Sequence, residues 1–256
     1  MRVTMLGCGP SWGVPRIGGA WGACDPQNPR NRRRRCSVLV EEGGARILVD
    51  TSPDLREQLL AAGVAALDAV LLTHAHADHL HGIDDLRTVN RLMGRAIPLF
   101  ADAATMAEVE QRFGYIFAPT NPAARASFYK PALERRVIDG PFQAAGIAVT
   151  PFAQDHGFST TLGFRFGRFA YSTDVIELDE AAFAALDGVE LWIVDCIRRA
   201  PHVTHSHLEK TLGWIARVKP RRAVLTHMDE SLDYATLGAE LPAGVEPGYD
   251  GLAIEL

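Results

Sequence analysis

Thr73-His74-Ala75-His76-Ala77-Asp78-His79 follows the apolar run Ala69-Val70-Leu71-Leu72. Four side chains able to bind a metal therefore fall at positions 74, 76, 78 and 79, directly after a segment that reads as a short buried strand. Imidazole nitrogen and carboxylate oxygen are the donors that divalent cations take at catalytic rather than purely structural sites. In an extended segment His74 and His76 point to one side. A turn after Ala77 would swing Asp78 and His79 toward a second position nearby. The stretch predicts two adjacent metal positions at the C-terminal end of a strand, where sites of α/β proteins tend to lie. The bland alternative is a surface loop that happens to be rich in histidine, and it accounts for neither the number of donors nor their place.

Upstream of this stretch, residues 2–6 read as a first strand. Residues 37–40 and 45–50 read as a hairpin across Glu41-Glu42-Gly43-Gly44. Residues 54–62 have helical spacing, with Leu55, Leu59 and Leu60 on one face and Gly63 as a stop. Between the first strand and the hairpin, residues 10–35 are rich in Gly, Pro, Asn, Trp and Arg, and so read as a long loop of the kind that usually has a function. Downstream, residues 84–93 and 103–113 read as helices, with a short strand at 97–100 between them. The second half is patterned alike, with strands at 147–152, 161–166, 169–172, 191–194 and 223–225, and helices at 180–186 and 208–218. Strand runs followed by helices in each half predict two sheets packed face to face with helices outside. No internal repeat is visible in the sequence, and 256 residues suit a single domain over 1–256.

Bulk composition narrows the class. Hydrophobic residues make up 47% and charged residues 22%, as in ordinary soluble proteins. No apolar run approaches the ~20 residues of a membrane helix, so no membrane partner is expected. The first residues lack a basic flank followed by an apolar stretch, so no secretory signal is expected. The net charge of −5 argues against a protein coated in nucleic acid. The four cysteines, Cys8, Cys24, Cys36 and Cys196, are scattered and read as reduced thiols in a cytoplasm.

The pattern His74-x-His76-x-Asp78-His79 after an apolar strand resembles the signature of the metallo-β-lactamase superfamily. That resemblance implies an α/β fold, a four-layer αββα sandwich, with a dinuclear site along one edge. It also implies three further ligands on strand-end loops. Gln154-Asp155-His156-Gly157, Tyr171-Ser172-Thr173-Asp174 and Leu225-Thr226-His227-Met228 offer a match for each. By the resemblance, His74, His76 and His156 hold one metal, Asp78, His79 and His227 hold the other, and Asp174 bridges them. Asp50, in Val49-Asp50-Thr51-Ser52, looks like the family's buried aspartate that orients a ligand or the first loop. The alternative for Asp50 is a simple strand-end turn residue. Two cations about 3.5–4 Å apart lower the pKa of a bridging water, polarise the substrate and stabilise the leaving oxygen. Two divalent ions are therefore expected, zinc or manganese first, with iron, cobalt or nickel as alternatives.

This chemistry suits phosphodiesters, thioesters, lactones and β-lactams alike. An aspartate at the bridging position, Asp174, resembles the phosphodiesterase and thioesterase members. Pro201-His202-Val203-Thr204-His205-Ser206-His207-Leu208 resembles the segment where phosphodiesterase members, tRNA 3′-processing nucleases included, carry an additional histidine. His205 is the candidate for that residue, a general acid toward the departing alkoxide, with His207 the weaker candidate. The alternative is a polar turn with unused histidines. Asp78 and His205 are thus the residues expected to carry catalysis.

At subfamily level the resemblance is to the PhnP-like phosphodiesterases. It rests on Gly13-Val14-Pro15, Arg34-Arg35-Cys36-Ser37, Val194-Asp195-Cys196, His205-x-x-Leu208, Leu225-Thr226-His227 and Gly248-Tyr249-Asp250-Gly251. It implies hydrolysis of small phosphate diesters, five-membered cyclic phosphates of ribose or nucleotides among them. That group clusters cysteines in its first loop around a structural zinc, whereas this loop has only Cys24, so no such zinc is expected. Packing of Trp12 and Trp21, or pairing of arginines, must then hold the loop. The run Arg30-Asn31-Arg32-Arg33-Arg34-Arg35 could attract phosphate, but a solvated or ion-paired loop is favoured for most of these arginines. No Gly/Pro-rich insertion resembles the tRNA-gripping arm of the nucleases, so a nucleic-acid partner is not favoured. The expected partner is a small phosphodiester, and a homodimer is the default for such an enzyme. Competing readings are a thioesterase or lactonase of the same fold, a tRNA 3′-processing-type nuclease, and a non-catalytic metal-binding domain.

Overall fold

The computed structural model describes residues 1–118 and 130–256. The first half runs β1 (Arg2–Gly7), β2 (Ser37–Glu42), β3 (Ala45–Val49), α1 (Leu55–Ala62), β4 (Ala69–Leu71), α2 (Ala77–Leu80), α3 (Leu86–Met93), β5 (Ile97–Ala101), α4 (Ala103–Phe113) and β6 (Leu133–Val137). The second runs β7 (Phe142–Ala144), β8 (Ile147–Asp155), β9 (Thr160–Phe166), β10 (Phe169–Ser172), α5 (Glu180–Leu186), β11 (Leu191–Asp195), α6 (Leu208–Val218), β12 (Arg222–Thr226), α7 (Tyr234–Glu240) and β13 (Val245–Pro247). The last strand, β14 (Ala253–Glu255), returns to pair with β1.

Two seven-stranded sheets result, ordered β14-β1-β2-β3-β4-β5-β6 and β13-β12-β11-β10-β9-β8-β7. Each begins with antiparallel neighbours and continues parallel: β1 to β3 then β3 to β6, and β7 to β10 then β10 to β13. The halves therefore share a topology that their sequences do not display.

Alternation along the strands decides which face packs where. Val3, Met5, Val38, Val40, Ile47, Val49 and Leu71 meet Phe152, Phe164 and Phe166 of the other sheet in one buried cluster. Their neighbours Leu6, Leu39, Leu48 and Val70 point the other way and pack under α1, α3 and α4 in a second cluster. This is the expected αββα sandwich. Gly63 ends α1 in the left-handed conformation, at φ 65°. Two local expectations differ from the structure. Helix α2 begins at Ala77, with His76 at its N-cap, where a simple turn was expected. The expected helix at 84–93 opens as a 3₁₀ turn, Ile83–Asp85, and becomes α-helical only at Leu86.

The C-terminal ends of β3, β4, β8, β10, β11 and β12 converge on one edge of the sandwich. The backbone N–H of Leu162 donates to the Thr73 carbonyl at 2.9 Å and stitches the sheets together there. No helix among the described residues is long and apolar enough to cross a membrane.

Candidate metal centre

Loop 73–82 is held by buried partners rather than by its own helix. Asp50 leaves β3 at φ 64°, a conformation disfavoured for a side chain with a Cβ. Its carboxylate accepts from the Thr73 backbone N–H at 2.8 Å and from Nδ1 of His79 at 2.7 Å. The Thr73 hydroxyl lies 2.9 Å from Asp50 Oδ2 and 2.9 Å from Nδ1 of His74. With Asp50 as the acceptor at the end of both chains, His74 and His79 each carry the proton on Nδ1 and present a free Nε2 lone pair. Thr51 anchors the same loop through the Leu80 carbonyl at 3.0 Å, and Arg112 of α4 donates to the Ala75 carbonyl at 2.6 Å. Gly82 lets the loop close on the chain just after β3, since a Cβ there would lie 1.9 Å from the Ser52 carbonyl oxygen.

The second sheet brings its groups one at a time. His156 follows β8, and its Nδ1 donates to the Thr204 carbonyl at 2.8 Å, which leaves Nε2 free. Asp174 follows β10 at φ 55° and His227 follows β12 at φ 59°, both in the left-handed region. Five non-glycine residues among those described have positive φ, and three of them, Asp50, Asp174 and His227, are at this site. Such backbone costs of order 1–3 kcal/mol per residue and persists only where the surroundings over-determine it.

The outcome is three overlapping groups of donors, each with ligand atoms within 4.8 Å of one another: His74, His76, His156 and Asp174; Asp78, His79, Asp174 and His227; and Asp195, His205 and His227. Asp174 belongs to both of the first two. Its Oδ1 faces Nε2 of His74 at 3.8 Å and of His156 at 3.7 Å. Its Oδ2 faces Nε2 of His79 at 3.0 Å and of His227 at 3.5 Å. Asp78 Oδ2 lies 3.4 Å from Nε2 of His79 and 3.6 Å from Nε2 of His227.

The donor set fits cations. Nε2 of His74, His79 and His227 is buried without a hydrogen-bond partner, although a polar atom so placed ordinarily finds one. These unpartnered nitrogens converge with two carboxylates, as a metal requires. The two groups also differ electrostatically. Burial, joined by the neighbouring His79, pushes His74 well below the ordinary imidazole range, and burial likewise lowers His156. In the other group burial opposes protonation of His79, but the carboxylates of Asp174, Asp78 and Asp50 outweigh it and raise His79 well above that range. His227 is pushed up to about 9, as burial is outweighed by Asp174 and then by Asp78 and Asp195.

His205 lies at the shared edge. Its Nδ1 is 3.2 Å from Asp195 Oδ2 and its Nε2 is 3.8 Å from Asp174 Oδ1. Its ring stacks on His227 with centroids 4.6 Å apart. Asp195 Oδ2 also accepts from the backbone N–H groups of Val175 and Ser206 at 3.1 and 3.3 Å, while Oδ1 faces Nδ1 of His227 at 3.9 Å. His207, the weaker sequence candidate, occupies the N-cap position of α6 and belongs to none of the three groups. Asp195 is the residue that sequence reasoning missed in a functional role. Its signal was a carboxylate ending an apolar strand, in Val194-Asp195-Cys196.

The arginine-rich run serves the same edge from outside. The buried Arg33 guanidinium donates to the carbonyls of Asp229 at 2.8 Å and Leu232 at 2.5 Å, just past His227. Arg35 pairs with Asp54 at 3.1 Å, Arg30 stacks on Tyr234 and Tyr249, and Arg32 stacks on Trp21. Trp12 Nε1 donates to Glu230 at 2.9 Å. Of the two sequence expectations for holding this loop, arginine pairing is seen at Arg35, whereas Trp12 is exposed and the tryptophans meet arginines and Glu230 rather than the core.

A family profile described as a beta-lactamase superfamily domain matches residues 45–228. The chain belongs to that superfamily. The crystal structure of a new diphosphatase from the PhnP family superposes with a TM-score of 0.90 at 34% identity, covering 99% of this chain and 97% of that one. The subfamily resemblance read from the sequence therefore stands, and the fold is that of the metallo-β-lactamases. An octanoyltransferase of Porphyromonas gingivalis is 34% identical over 262 residues, which span 98% of this chain and 51% of the relative. The chain thus spans about half the length of that curated relative. A ribonuclease Z of a Bradyrhizobium species is 47% identical over 66 residues, 25% of this chain and 22% of the relative.

Proposed function

We infer that this superfamily member is a metal-dependent hydrolase of small phosphate diesters, cyclic ones included, with His205 as the general acid. The carrying observation is the position of His205. Asp195 engages its Nδ1, and its free Nε2 faces the carboxylate shared by the two donor groups. The resemblance to a PhnP-family diphosphatase over almost the whole chain supports a phosphate-containing substrate.

In this reading His74, His76 and His156 hold one divalent cation, Asp78, His79 and His227 hold a second, and Asp174 is common to both. Bound there, the cations supply Lewis-acid polarisation of the phosphoryl group and a nucleophile at neutral pH. The chain's own residues do the rest. Asp50, through Thr73 and directly, keeps the Nδ1 protons of His74 and His79 in place, so both rings aim Nε2 inward. The Thr204 carbonyl does the same for His156. Asp195 fixes the His205 ring through Nδ1, so that Nε2 is placed to deliver a proton to the leaving alkoxide. A thioester releases a thiolate, a better leaving group than an alkoxide, and needs no such acid.

The test is turnover by metal-reconstituted protein of bis(p-nitrophenyl) phosphate, a 2′,3′-cyclic nucleotide, a ribose 1,2-cyclic phosphate, a thioester and a lactone. The expected result is hydrolysis of the diesters, abolished in Asp78→Ala; in His205→Ala the cyclic diesters, which release an alkoxide, are strongly reduced, and bis(p-nitrophenyl) phosphate, which releases a nitrophenolate, is reduced less. Turnover of only the thioester or lactone, with His205→Ala unaffected, would overturn the substrate class.

A further inference from the structure

Immediately beside the donor groups the chain exposes apolar surface that its core does not use. Phe158 retains 76% of its accessible surface and Val203 retains 79%. Phe158 sits at the tip between β8 and β9, with its ring centroid 6.0 Å from that of His76 and 5.8 Å from that of His156. The planes are tilted by 43° and 42°, so neither imidazole covers its face.

The tip is a built turn. Gly157 donates its backbone N–H to Asp155 Oδ1 at 2.7 Å, and the His156 N–H donates to the Ser159 carbonyl at 2.9 Å. Gly157 has φ 85°, and a Cβ there would lie 2.8 Å from the Val203 carbonyl oxygen and 3.1 Å from Cγ2 of Thr204. Glycine at this position lets the tip lie against residues 203 and 204, the stretch that leads into His205. Phe158 is one residue from that contact and Val203 is part of it, so two exposed apolar side chains lie close together beside the donor groups.

We propose that Phe158 is a specificity determinant: its open face stacks the planar base of a nucleotide-type phosphate ester whose phosphate lies at the donor groups, with Val203 as the second apolar wall. The proposal rests on the phosphodiesterase reading and narrows its substrate class. A large aromatic ring left in water gains nothing for the fold, but a ring face next to a phosphate position offers what a base needs. Base–aromatic stacking changes affinity by roughly 5- to 150-fold.

The experiment is calorimetric binding of AMP and of ribose 5-phosphate to the metal-reconstituted protein, its Phe158→Ala variant and its Phe158→Trp variant. The two ligands share sugar and phosphate and differ in the base. The expected result is that wild type prefers AMP by roughly 5- to 150-fold, Phe158→Ala loses that preference with ribose 5-phosphate binding unchanged, and Phe158→Trp keeps it. Phe158 is exposed, so an unaltered Tm is expected for both variants. Equal binding of the two ligands by wild type, no AMP binding, or an equal loss of both ligands in Phe158→Ala would overturn the proposal. A base preference that depends on Phe158 in a protein that hydrolyses no diester would leave the subsite standing and sink the phosphodiesterase reading. Diester turnover with no base preference would do the reverse.

Discussion

The two sheets build their shares of the site in different ways. The first contributes His74, His76, Asp78 and His79 from one loop, and a single buried carboxylate, Asp50, organises two of those rings. The second contributes His156, Asp174, Asp195 and His227 from the ends of four strands, with His205 on the loop before α6. Its Asp195 carboxylate reaches His205 and the Val175 N–H beside Asp174, but not His156. Backbone carbonyls, the Asp195 carboxylate and left-handed residues at Asp174 and His227 hold its groups one by one. The compact half is local chemistry that a short segment can encode. The dispersed half exists only once the sheet has formed.

The sharpest way to break this comparison is His205→Ala. It belongs to the dispersed half but is not needed for the two donor groups around Asp174. Turnover of cyclic diesters, which release an alkoxide, should fall by about 10²–10⁴-fold, with metal content unchanged by elemental analysis. Loss of metal along with rate would make His205 a ligand and merge the third group with the others.

Asp50→Asn tests the compact half. It removes one acceptor from a chain that fixes His79 directly and His74 through Thr73. Metal affinity, read by chelator competition, should weaken by about 10–100-fold. Unchanged affinity would mean that no single carboxylate organises the loop.

Arg33→Met tests the outer brace of the His227 loop. The carbonyls of Asp229 and Leu232 lose their buried donor, so denaturant unfolding should show a loss of about 1–3 kcal/mol, with most turnover retained in the folded fraction. A neutral result would demote the brace to packing.

An effect on stability alone is expected away from both halves, at Asp250. Burial raises its carboxyl to about 7, against the opposing Arg34 and Cys8 N–H donors. A raised carboxyl favours the protonated fold, so its contribution is complete below the ordinary carboxylate range and is lost as pH rises through about 7. Between pH 4 and 7 the wild type should therefore lose stability relative to Asp250→Asn, by less than about 1.4 kcal/mol per pH unit. Parallel stability curves over that range would show that Asp250 does not titrate there.

The same contrast explains how much was legible in the sequence. The strands and helices around the His74–His79 loop were readable because alternation and helical spacing are local. Strand β6, Leu-Glu-Arg-Arg-Val over 133–137, escaped because four of its five residues are exposed at a sheet edge, where charge replaces alternation. Strands β7, β13 and β14 are three residues each, too short for any period. Helix α7 did carry a signal, since Asp233 caps it through the Thr236 N–H. In the site, His156, Asp174 and His227 could be picked out only through family resemblance, because nothing local distinguishes them from capping or turn residues. Asp195 ends an apolar strand, but the partners that give it a role, Val175, His205 and Ser206, meet it only in the folded chain. The exposed Phe158 had no sequence signal at all.

The most direct test is anomalous diffraction from crystals of protein reconstituted with zinc or manganese. The account predicts two peaks, one bounded by His74, His76 and His156 and the other by Asp78, His79 and His227, with Asp174 between them. A single peak, or an ion held instead by Asp195, His205 and His227, would contradict it.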